Sequence, residues 1–183
     1  MQGYRPGALA GRGFGAEELA RRHPGLVVVN VSAYGATGPW GGRRGFDSLV
    51  QVVSGIAAEG AAAAGRDAPL SLPAQALDHA TGWLAAFGAL AALRRRAREG
   101  GSWVVDVTLA GTAAWLDSLG RVPDGLAVPE PTPDLLAPML VETPTPFGRV
   151  RHVRLPGRTS GVRPEWASPP VPPGTHPPAF TDP

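Results

Sequence analysis

Apolar residues are unevenly spread along this chain. The run LVVVNV, residues 26–31, is continuous and β-branched, the pattern of a strand covered on both faces, as in a parallel sheet. Ahead of it, residues 3–15 are turn-rich, and AEELARRH (16–23) predicts a short helix stopped by His23, Pro24 and Gly25. After it, FDSLVQVVSGI sets apolar side chains at Phe46, Leu49, Val50 and Val53, a helical spacing. Small residues then fill 57–72, which reads as linker. The longest helix is predicted from Asp78 to about Arg98, with a bulky stripe of Trp83, Leu84, Phe87 and Leu90. Its length of roughly 30 Å follows from ~1.5 Å per residue, and its alanine-rich remainder predicts close packing against neighbours on several sides. Gly100 and Gly101 end it. SWVVDVTL alternates, which places Trp103, Val105, Val107 and Leu109 on one face of a strand, and AGTAAWLDSLG reads as a further short helix.

The order α, β, α, α, β, α argues for an α/β domain over residues 1–120. From Arg121 onward proline punctuates the chain. Within this segment, 121–183, a hairpin is expected at 140–155 around Pro144 to Gly148. The ending PEWASPPVPPGTHPPAFTDP reads as extended chain without a core of its own.

Composition narrows the chemistry. All 17 basic residues are arginine, and 15 acids bring the net charge to only +2, too small an excess for a nucleic-acid groove. Arg94, Arg95, Arg96 and Arg98 do cluster, but at a helix end whose dipole they complement. The absence of cysteine excludes disulfides, thiolate nucleophiles and Cys-based zinc sites. The four histidines (23, 79, 152, 176) have no metal-ligand spacing, so no metal is expected. MQGYRPGALAG has no apolar signal region, and no apolar run is long enough for a membrane span, so a cytoplasmic protein is expected. Ser32 and Ser54 sit in no G-x-S-x-G elbow. Trp40, Trp83, Trp103 and Trp115 read as packing residues.

Two features remain. Asp78, in PAQALDHATG, suits an N-cap, where a carboxylate accepts from main-chain amides. The same helix end would also keep it ionised and available as a nucleophile. His79 points about 100° away on a helix and is a poor base partner for it. The loop Ser32 to Gly45 follows a strand with several glycines, which suits either an anion-cradling turn or a plain connection. Arg43 and Arg44 would meet phosphates there or face water.

Four stretches in order carry a resemblance: GYRPGALAGRGFGAEEL, VSAYGATGPWGGRRGFDSLVQVVSGI, LPAQALDHATGWLAAFGALAALRRR and VVDVTLAGTAAWL. Together they resemble the family III CoA-transferases, the group of formyl-CoA transferase and carnitine CoA-transferase, which also includes 2-methylacyl-CoA racemase. The likeness spans residues 3 to about 120, and PPVPPGTHPP is similar to that family's usual C-terminal stretch.

The resemblance implies a partial family fold, an incomplete parallel sheet with helices. It also implies that Asp78 attacks an acyl-CoA thioester to give an acyl-aspartyl anhydride, then an aspartyl-CoA thioester that an acceptor acid displaces. Coenzyme A is thus a substrate, and Gly3, Tyr4, Arg5, Ser32, Ala33, Tyr34 and Gly35 lie where relatives contact it. Where formyl-CoA transferase has a CoA-contacting arginine this chain has Gly11, with Arg12 beside it. The racemase branch has a histidine before the acid of its G-H-D triplet. Here the triplet is Gly45, Phe46, Asp47, which favours transferase.

Against the family pattern, the N-terminal nucleotide-fold segment and the large middle domain are expected to be missing. The alternative is therefore a truncated, non-catalytic remnant or subunit. A homodimer, or a partner chain supplying the missing half, is expected.

Overall fold

The computed structural model describes residues 1–157, 160–162 and 164–179, so the last four residues of the expected extended tail lie outside the described residues. The chain divides into two compact units, Met1–Ala127 and Val128–Pro183. In the first, α1 (Ala16–Arg22) leads into β1 (Val27–Ser32). There follow α2 (Asp47–Val53), α3 (Ile56–Ala63), α4 (Ala76–Glu99), β2 (Trp103–Thr108) and α5 (Leu109–Ser118). β1 and β2 pair in parallel, from Val27 opposite Trp103 to Ser32 opposite Thr108. The α/β class and the parallel sheet follow the sequence pattern. Val28 and Val29, on opposite faces of β1, are both buried. β2 is covered less, with Val104 exposed on one face.

A parallel pair needs a crossover helix, and α4 supplies it. At 24 residues it is about 36 Å long, against roughly 20 Å for a six-residue strand. It runs antiparallel to the strands. Near its C-terminus, Arg96 Nη1 donates to the carbonyl of Gly25, just before β1, at 2.8 Å. Midway, Gly88 lies on Val105 so closely that a Cβ there would sit 2.6 Å from the valine Cγ1. At its N-terminus, Leu77 is fully buried with Ala33, Val50, Leu109 and Ala113. The first turn of α4 is thereby brought to the C-terminal edge of the sheet.

Three expectations need correction, and the facing of the α4 stripe is added by the structure. The small-residue stretch is helical over Ile56–Ala63, because alanines are strong helix formers and two of them, Ala57 and Ala61, are buried. The helix predicted from Phe46 starts at Asp47, with Phe46 exposed at the N-cap. The bulky stripe of α4 does not face the core. Trp83 is 66 % exposed, Phe87 72 % and Leu90 66 %, while Thr81, Ala85 and Ala92 are the buried side. Small residues win that face because the helix lies so close to the sheet. Nor are the tryptophans all packing residues: Trp83 and Trp115 are exposed, whereas Trp40 packs on Tyr34 although partly exposed, and Trp103 is half-buried under the Arg95 guanidinium, 4.2 Å above its ring.

In the second unit, α6 (Pro133–Leu136) precedes an antiparallel hairpin of β3 (Leu140–Thr145) and β4 (Gly148–Val153). Its turn is held by Thr145, whose Oγ1 accepts from the Phe147 N–H at 3.0 Å. No helix among the described residues is long and apolar enough to cross a membrane.

Candidate active site

Asp78 does not cap α4. The helix opens at Ala76 after Gln75, which makes no side-chain cap, and Asp78 stands at its third position. Its own main-chain N–H is one of the four that a helix start leaves without an internal partner. The acceptor comes from another helix: Asp47 Oδ2, 2.8 Å away. The other Asp47 oxygen accepts from Gln51 Nε2. Gln51 in turn accepts the Leu72 N–H at 2.8 Å and donates to the Ala74 carbonyl at 3.2 Å. Asp47 and Gln51 are each only 2 % exposed. One turn along α4, the Thr81 hydroxyl donates to Thr112 Oγ1 at 2.7 Å, and Thr112 donates to the Thr108 carbonyl. The start of α4 is thus fixed to both α2 and α5.

The Asp78 side chain itself points outward and is exposed. Among the described residues none donates a hydrogen bond to its carboxyl. Partial shielding from water pushes that carboxyl above the usual aspartate range, the nearby Asp47 charge adds to the rise, and His79 opposes it. The result is a carboxylate with free lone pairs and raised basicity, on the positive end of a long helix.

Of the other expected site residues, Gly3 and Tyr4 follow a bridge between Gln2 and Asn30, and Ser32 to Gly35 form the end of β1 and the turn after it. Gln2 pairs its main chain with Val29 and Val31, and its Oε1 accepts from the Tyr4 N–H at 2.9 Å. This lays Gly3 and Tyr4 alongside β1. Ser32 Oγ accepts from the N–H of Gly35 at 3.0 Å, and Gly35 takes a φ of 83° that favours glycine. Tyr4 and Ser32 line one recess of 170 Å³, with Gln2, Asn30 and Asp106 at its polar wall. Ala33 is buried and joins the core cluster that holds Leu77, the neighbour of Asp78. Tyr34 meets Trp40 edge to face at 5.1 Å, and Arg43 lies over the same tryptophan. Gly45 lets the loop close on them, because a Cβ there would come 2.7 Å from Ala33 Cβ. Arg5 and Arg12 are exposed and do not line the recess.

The sequence pattern does not single out Gln2, Asn30, Asp106 or Gln51, nor give Asp47 a role at Asp78. Asn30 and Asp106 face each other in the strand register, Asn30 Nδ2 donating to Asp106 Oδ1 at 2.8 Å. The signal was one polar residue inside each apolar strand. Among the described residues no cluster of three or more His, Asp or Glu is placed to hold a metal ion.

Loops after parallel strands, a helix start and an exposed acid at the carboxyl edge of the sheet form a usual ligand-binding place in α/β folds. Residues 1–121 match the family model for CoA-transferase family III, and the chain belongs to that family. It is 33 % identical over 139 residues to a probable fatty acyl-CoA transferase, Rv3272, of Mycobacterium tuberculosis, covering 73 % of this chain and 35 % of that protein. A crystal structure of Rv3272 superposes with a TM-score of 0.57 at 33 % identity, over 64 % of this chain and 33 % of that one. A succinyl-CoA–D-citramalate CoA-transferase of Chloroflexus aurantiacus is 35 % identical over 120 residues, 65 % of this chain and 29 % of the relative. The beta subunit of a succinyl-CoA–L-malate CoA-transferase from the same organism is 34 % identical over 109 residues, 59 % and 26 %. The chain therefore spans roughly a third of the length of these relatives.

Proposed function

We propose that this chain carries the nucleophile of a CoA-transferase, Asp78, and moves CoA from an acyl-CoA to a carboxylic acid. The observation that carries this reading is the Asp78 carboxylate itself. It is exposed, accepts no hydrogen bond from any described residue and is raised in basicity, in the first turn of α4. A carboxylate oxygen attacks the acyl carbon of the thioester, the C–S bond breaks, and CoA thiolate leaves an acyl-aspartyl anhydride behind. The thiolate then attacks the aspartyl carbonyl and releases the donor acid, leaving an aspartyl-CoA thioester. An acceptor carboxylate displaces CoA from that thioester. The thiolate finally takes the acceptor acyl group and regenerates Asp78. Each step exchanges one activated carbonyl for another.

Gly3, Tyr4, Ser32, Ala33, Tyr34 and Gly35 are proposed to meet CoA, with Arg5 and Arg12 as the cations available to its phosphates. The recess beside Tyr4 and Ser32, at 170 Å³, is smaller than the ~300–1,000 Å³ of usual small-molecule sites. It would hold one part of CoA, which supports a second surface completing the site, from a homodimer or a partner chain. The exposed Trp83, Phe87 and Leu90 support the same need.

Asp78→Asn tests the reading, since it preserves the shape of the helix start. The expected result is loss of CoA transfer with the fold intact. Normal transfer by the variant would overturn it. A wild-type protein that transfers no CoA, alone or assembled, would favour the non-catalytic subunit instead.

A further inference from the structure

The proposed reaction leaves one buried group unused, the Asp47 carboxylate. Burying a carboxylate costs several kcal/mol unless hydrogen bonds and charges compensate. Among the described residues no cation pairs with Asp47. Its partners are the Gln51 amide and the main-chain N–H of Asp78. An ordinary cap would be local, a Ser, Thr or Asp at the N-cap position. Here position 75 is glutamine making no cap, and the acceptor arrives from α2 across 31 residues.

We propose that Asp47, braced by Gln51, is a positioning residue for Asp78. It holds the main chain of the nucleophile by its N–H, and so fixes where the Asp78 carboxylate projects from α4. This rests on the reading of Asp78 as the nucleophile.

The geometry explains why both members are needed. Gln51 binds the Leu72 and Ala74 backbone on the approach to α4, while Asp47 binds the helix itself. The pair therefore spans the segment whose path sets the Asp78 backbone. Occupying the Asp78 N–H also keeps any substrate oxygen from taking that donor and turning the residue. The negative charge behind Asp78 acts in the same direction as the shielding that raises its basicity.

The test compares wild type, Asp47→Asn and Asp47→Ala. The asparagine variant keeps the shape but presents an amide in place of one oxygen, so it remains informative should the alanine variant fail to fold. The first readout needs no activity: the Asp78 backbone amide resonance and its exchange with solvent. Both variants are expected to shift that resonance and speed its exchange, and an unchanged Asp78 amide would overturn the proposal even in a preparation that transfers no CoA. The second readout is steady-state transfer. A misplaced nucleophile lowers kcat by about ten- to a hundredfold, while KM for acyl-CoA stays within about twofold because binding is untouched. A raised KM with normal kcat, or unchanged kinetics, would overturn the positioning role. Capture of Asp78 as its hydroxamate in the wild type separates the two ideas. If wild type is captured at Asp78 and both variants turn over normally, only the positioning role falls. If an active wild type is never captured there, the nucleophile assignment falls.

Discussion

Asp78 and Asp47 lie 31 residues apart in sequence, yet the main-chain N–H of one donates to the carboxylate of the other at 2.8 Å. Removing that carboxylate leaves two donors without an acceptor, one N–H of the buried Gln51 and the part-buried Asp78 N–H. Each unsatisfied group costs ~1–3 kcal/mol. Asp47→Ala is therefore expected to lose about 2–5 kcal/mol of unfolding free energy in denaturant titrations. Asp47→Asn retains one acceptor oxygen and loses less. Equal stability of wild type and Asp47→Ala would mean that the bond contributes nothing.

Asp78 has the opposite effect on stability. Its carboxyl holds its proton more tightly in the fold than in the unfolded chain. Between those two pKa values the native state binds more protons, so stability falls as pH rises through the window. Asp78→Asn has no such loss. Its melting temperature should match wild type in acid, below both pKa values, and exceed it at neutral pH, by a margin kept small because the side chain is exposed. A variant less stable than wild type at neutral pH would instead make Asp78 a stabilising charge at the helix start.

Two glycines of α4 should behave oppositely when replaced by alanine. Gly82 has open space where a Cβ would lie, whereas at Gly88 the Cβ would come 2.6 Å from Val105. Gly82→Ala is expected to stabilise by up to ~1 kcal/mol through helix propensity. Gly88→Ala is expected to destabilise by ~1–3 kcal/mol as the helix is pushed off the sheet. Thermal melts of both variants check the pair, and a stabilising Gly88→Ala would contradict the close packing.

These glycines also mark what the sequence could and could not tell. The LVVVNV run announced a buried strand, and the alternation in SWVVDVTL announced its partner, because strand burial leaves period-specific patterns. The inward face of α4 left no such pattern. Close approach to Val105 demands small residues there, so Trp83, Phe87 and Leu90, the strongest apolar signal on the helix, point the wrong way. Ala57 and Ala61 hid α3 in the same manner, since alanine reads as linker until something packs on it. At the site, the motifs around Asp78 were legible in the chain. Its tie to Asp47 was not, because no local spacing records a bond between two helix starts.

The outward stripe of α4 gives a prediction of its own. If a partner surface covers it, the double variant Trp83→Glu, Phe87→Glu should keep its fold, since both side chains are exposed, but should lose association. Sedimentation velocity on wild type and variant reads this. A wild type that is monomeric at all concentrations and still transfers CoA would remove the need for a partner.

The most direct measurement is capture of the proposed intermediate. The protein, with any partner it assembles with, is incubated with acyl-CoA and hydroxylamine, and residue 78 is mapped by mass spectrometry. Attack of hydroxylamine on the aspartyl carbonyl of either the anhydride or the thioester leaves a hydroxamate, and the account predicts it at Asp78. An actively transferring preparation in which Asp78 stays unmodified would contradict it.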